Sequence, residues 1–154
     1  MFFLHSRDRW RRLKIWLPAI VWAAIILLFS SEAFSGAQTS GMLEPLLRHL
    51  FPLLSTPDIE LIHLMIRKLG HFGEYFVLSI LVLRALRQET HHRIARRHIA
   101  LGLSLSALYA ISDELHQALV PNRSASIIDV LIDVSGGICG TLWFHLRNAG
   151  KDSL

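Results

Sequence analysis

The chain has 154 residues, with 16 Lys+Arg against 12 Asp+Glu for a net charge of +4, and it is 52% hydrophobic but only 18% charged. An average soluble protein is about 25% charged, so this balance excludes a disordered, collagen-like or ordinary soluble basic protein. It points to a small integral membrane protein whose charges sit outside the hydrocarbon, and the single cysteine, Cys139, excludes an intrachain disulfide.

A bilayer core of about 30 Å takes ~20 mostly apolar residues as helix. Four stretches approach that length: residues 13–31, 69–86, 99–120 and 127–146. The first follows Arg7, Arg9, Arg11, Arg12 and Lys14 and precedes Ala33-Phe34-Ser35-Gly36-Ala37, an order that a cleaved secretory signal also has. Its long apolar run and the charge at Glu32 favour a retained helix. In the outer segment that follows, residues 42–54 are apolar with two prolines and read as an interfacial or re-entrant piece. Thr56-Pro57-Asp58 then predicts a helix start, with Thr56 as N-cap, Pro57 first in the helix and an acid in the first turn. The second helix therefore begins near Asp58 and stands above the membrane before entering it. Pro121-Asn122-Arg123-Ser124 predicts a tight turn, and Ser126 with Asp129 fits a capping box opening the last helix.

Lysine and arginine fix the expected orientation. The N-terminal tail, the connection carrying Arg87, Arg93, Arg96 and Arg97, and the C-terminal Arg147 and Lys151 all fall on one side if there are four spans with both termini cytoplasmic. Arg84 snorkels to that side from its helix. The expected architecture is all-α, an integral membrane four-helix bundle forming one domain over residues 1–154.

Measured from the inner end of each span at ~1.5 Å per residue, Glu74, Asp113 and Asp133 rise about 18–21 Å, and His71, His116 and Asp129 about 23–26 Å. Three helices thus bring carboxylates and imidazoles to one layer in the outer half of the membrane. Such groups at that depth cost a few kcal/mol or more unless partnered or wetted. At ~100° per residue, Arg67, Lys68, His71, Glu74 and Tyr75 share a face of the second helix. Ser106, Tyr109, Asp113, His116 and Gln117 share one on the third, with Glu114 at its flank. Asp129, Asp133, Gly136, Gly137 and Gly140 form a stripe on the fourth, whose glycine end permits close helix packing beneath an outward-facing polar cup.

Simpler roles compete at several positions. Glu74 fits a structural ion pair with Arg67 or Lys68, Asp129 fits a helix start, and Arg123 fits either a solvated turn or a grip on an anion. His63, His91, His92 and His98 need no role. Tyr75, Phe76, Trp143 and Phe144 suit interface anchors, although Tyr75 also borders the polar layer as a ligand contact.

His-Phe-Gly-Glu-Tyr at 71–75 after Arg67-Lys68, Asp-Glu-Leu-His-Gln at 113–117, Pro-Asn-Arg at 121–123, and Asp129 followed by Gly136 resemble the signature of the VanZ-like family. The match runs in order from Arg67 to Gly140. One departure is Asp133, where family members commonly carry Asn. The resemblance implies a bacterial multi-pass protein of the cytoplasmic membrane, in a family whose namesake is linked to resistance to the lipoglycopeptide teicoplanin.

Three functions fit these residues. An enzyme acting on an envelope lipid or lipid-linked precursor would use His71, Glu74, Asp113, Glu114 and His116 as acid/base groups, or as ligands of a divalent metal, with Arg123 holding a phosphate. No nucleophile stands out, since Cys139 lies among the packing glycines. A non-catalytic binding or resistance protein would recognise a polar headgroup or antibiotic through Gln117 and Arg123, with Asp129 and Asp133 tuning the charge and Tyr75 as a further ligand contact. A proton-linked transporter would use the same acids, but the inner helix halves lack polar stepping stones. Beyond the lipid bilayer and an envelope ligand, the sequence leaves oligomerisation open and offers nothing for nucleic acid: there is no Gly-rich phosphate loop, and topology accounts for the bases.

Overall fold

The computed structural model describes residues 2–90 and 95–149, with side chains over 8–89 and 95–148. His91, His92, Arg93, Lys151 and the side chain of Arg7 lie outside them. The described residues are helical without strands: α1 (Phe2–Phe29), a 3-10 turn (Glu32–Phe34), α2 (Gly36–Leu50), α3 (Thr56–Thr90), α4 (Arg96–Gln117) and α5 (Ile127–Ala149). Three segments are long and apolar enough to cross a membrane: Asp8–Phe29, Thr56–Glu89 and Ile127–Asn148.

The outer segment is more ordered than a lone interfacial piece requires. Ser35 caps α2 by accepting the Gln38 amide, and Thr39 meets His63 of α3 at 2.8 Å. Helix α3 starts one residue earlier than the Thr-Pro-Asp reading predicts. The capping box belongs to Ser55 and Asp58: the Asp58 carboxylate accepts from the Ser55 amide and hydroxyl, and the Ser55 hydroxyl accepts the Asp58 amide. Thr56 instead accepts Arg48 at 3.1 Å. Its 35 residues make α3 about 50 Å long, well over a bilayer core.

Contacts along the helices give their relative directions. From one end of the pair to the other, α3 meets α5 as Lys68 with Asp129, His71 with Asp133, and Arg87 with Asn148, so the two run parallel. Helix α1 runs against α3: the Trp22 indole donates to the Glu74 carbonyl at 2.9 Å, and the Trp16 indole to Glu89 at 3.1 Å. Helix α4 runs alongside α1, with the Tyr109 hydroxyl donating to the Ala23 carbonyl at 2.6 Å and Ser30 to Asp113.

The glycine stripe is where α3 and α5 approach most closely. A Cβ at Gly136 would overlap the Phe72 carbonyl, and one at Gly140 the Phe76 carbonyl and the Ser79 hydroxyl. Around these contacts lies an apolar core of Ile26, Tyr75, Leu78, Val82, Leu83, Leu86, Ala110 and Phe144. Tyr75 and Phe144 are therefore core residues rather than interface anchors; only Trp143 of that group is exposed, beneath Arg147.

Candidate functional site

At the end of the helices where α1 finishes and α5 begins, α3, α4 and α5 bring their polar residues together. On α3 and α5, Lys68 pairs with Asp129, and His71 Nδ1 lies 3.2 Å from Asp133 Oδ1. This corrects two sequence expectations. Lys68 takes Asp129 as partner instead of Glu74. Asp129 is turned to that lysine, and the Ser126 amide of the expected capping box is accepted by Glu114 of α4 at 2.7 Å. The α5 entrance is thus closed by a carboxylate from a neighbouring helix.

Helix α4 divides its polar residues between two faces. Asp113 and Gln117, one turn apart, point to the end of α1: Asp113 accepts from Ser30 and from the Gln117 amide at 3.1 Å, and that amide also donates to Ser30 at 3.2 Å. Glu114, a residue round the helix, faces α3 and α5. Ligand atoms of His71, Glu114 and Asp133 all lie within 4.8 Å of one another. Asp113, Glu114, Gln117 and Asp133 are at most 4% exposed, so these side chains close on one another instead of lining an open cup.

Arg123 binds inward. Its guanidinium donates to the carbonyls of Phe29, Ser31 (3.2 Å) and Phe34 (2.7 Å) and to Gln117 Oε1 (3.3 Å). It therefore satisfies carbonyls left over at the end of α1, the job of a C-terminal cap, where a cation also meets the negative end of the helix dipole. Burial, and then the charge of Arg67, pull its pKa below the usual arginine value. Asn122 beside it adopts a left-handed φ of 59° and donates to Glu32 at 3.0 Å, as a tight turn after Pro121 requires.

Glu74 is half-buried between the two polar groups, within electrostatic reach of His71, Asp113, Asp133 and Arg123. Its carboxylate makes no hydrogen bond among the described residues. Tyr75 is fully buried with an unpartnered hydroxyl, packed near Tyr109. The half-buried His116 ring is not gathered in: its Nδ1 makes no hydrogen bond among the described residues. Cys139 is exposed, away from the site. The residue that sequence reasoning missed is Ser30. Its only signal was a small hydroxyl at the end of the first apolar run, which becomes telling once Asp113 is known to lie opposite.

A family model for VanZ/LLP1 matches residues 15–148. No curated protein and no solved structure matches the chain. With that match spanning most of the sequence, the chain belongs to the VanZ/LLP1 family.

Proposed function

We propose that this is a cell-envelope protein of the bacterial cytoplasmic membrane that binds a lipid or lipid-linked precursor at its outer face. In this reading α4 makes a fourth crossing and both termini are cytoplasmic, giving a four-helix bundle. A stripe of exposed Leu101, Leu105, Leu108, Ile111 and Leu115 at helical spacing supports α4 as lipid-facing. Ser106, Asp113, Glu114 and Gln117 lie on the protected side, and with the exposed Ser104 and Ser112 they keep its hydropathy modest.

The observation that carries the proposal is Glu74. It is the acid of the layer that is only partly buried and without a hydrogen-bonding partner among the described residues, whereas Asp113, Glu114, Asp129 and Asp133 are each engaged. A group so placed is available to a ligand's polar hydrogens. The glycine packing beneath the layer favours a closed binding site over a conducting path. Loss of a lipoglycopeptide's access to its envelope target, as in teicoplanin tolerance, is one consequence that such binding would have.

Native mass spectrometry of gently extracted protein tests this. A co-purified lipid or lipid-linked adduct is expected, and Glu74→Gln should remove it while leaving the amount of membrane protein within about twofold. Wild-type protein without any adduct, even after incubation with extracted envelope lipids, would contradict the proposal.

A further inference from the structure

Two buried carboxylates, Glu114 and Asp133, share a space. They approach within 4.8 Å through their ligand atoms, and among the described residues neither forms an ion pair with lysine or arginine, Arg123 acting on Glu114 only from a distance. Lys68 is already paired with Asp129. Each carboxylate spends one oxygen: Glu114 Oε2 on the Ser126 amide, Asp133 Oδ1 on His71. The other oxygens, Glu114 Oε1 and Asp133 Oδ2, are buried without any hydrogen-bond partner. Unmet acceptors on fully buried acids are expensive, and mutual repulsion adds to the cost.

We propose that His71, Glu114 and Asp133 hold a first-row divalent cation of the Zn2+ or Mn2+ type. One imidazole nitrogen with two carboxylate oxygens suits those ions, whereas Ca2+ and Mg2+ prefer all-oxygen shells. The three ligands come from α3, α4 and α5, so the ion ties three helices together. Lys68 with Asp129, one turn above on α3 and α5, keeps a neighbouring charge neutral. The inference rests on reading this layer as the ligand site, and it names what a headgroup would meet there. The ion offsets the negative charge of the two buried acids, so a headgroup reaching Glu74 at the partly exposed edge of the layer meets less repulsion.

Purified full-length protein is dialysed against Zn2+ or Mn2+, freed of excess ion, and assayed for bound metal by elemental analysis and for thermal unfolding. About one equivalent of one ion per chain is expected, with a rise in Tm. Glu114→Gln and Asp133→Asn keep shape and the existing hydrogen bonds, and each should lower the affinity at least tenfold. His63→Gln, at an imidazole outside the layer, should bind as wild type does. Wild-type protein that retains neither ion and shows no Tm shift would overturn the proposal. So would retention unchanged in both amide variants. The metal result decides this inference whatever the lipid adduct shows, so each can fail alone.

Discussion

At the scale of single residues, Arg123 shows how a charge that looks free in the sequence is committed in the fold. Only a planar fork reaches the Phe29 and Ser31 carbonyls at the end of α1, the Phe34 carbonyl of the 3-10 turn and Gln117 at once. Arg123→Lys keeps the charge and loses the fork, so it should destabilise the protein by about 1–3 kcal/mol, read as a lower Tm in detergent. An unchanged Tm would mean that charge alone suffices. Asp113 makes a contrasting case to Glu74. Asp113→Asn would replace one of the two acceptors by NH2, losing the bond from either the Gln117 amide or the Ser30 hydroxyl, so its expected defect is reduced accumulation in the membrane, by roughly the 1–3 kcal/mol of one unmet buried group. The cluster's members were legible in the sequence because acids and imidazoles are costly inside apolar helices. Their partners were not: Lys68 choosing Asp129 over Glu74 depends on α3 and α5 running parallel in a particular register, which no local pattern carries.

At the scale of elements, the glycine stripe was the most direct prediction. Small residues at four-residue spacing imply close approach, and the Phe72 and Phe76 carbonyls sit where a Cβ would go. Backbone cannot swing aside as a flexible side chain can, so Gly136→Ala should separate α3 from α5 and cost about 1–3 kcal/mol or more. Protein levels in membranes and Tm both report it, and Gly137→Ala is the comparison, because a Cβ there meets only Ser106 at an ordinary 3.7 Å. The start of α3 slipped by one residue because Ser55 and Thr56 are both good caps. The choice fell to Ser55, whose position three residues before Asp58 allows the reciprocal pair, while Thr56 was drawn to Arg48. Helix α2 was readable as an apolar outer segment, but its capping at Ser35 and its bond to His63 needed the fold.

For the whole molecule, the distribution of bases and the polar layer make one joint statement. If the basic connections face the cytoplasm, the end that carries Ser30, Asp113, Gln117 and Arg123 faces outward, and the partly exposed edge of the layer at Glu74 lies on the envelope side. That orientation underlies the binding proposal and the assignment of α4 as a crossing. Reporter fusions along the chain test it most directly. A reporter active only outside the cytoplasm should work after Ser40 and after Asn122 and be silent after Thr90 and at the C-terminus. Activity after Thr90 or at the C-terminus, or silence after Asn122, would place the polar layer on the wrong side and contradict the account.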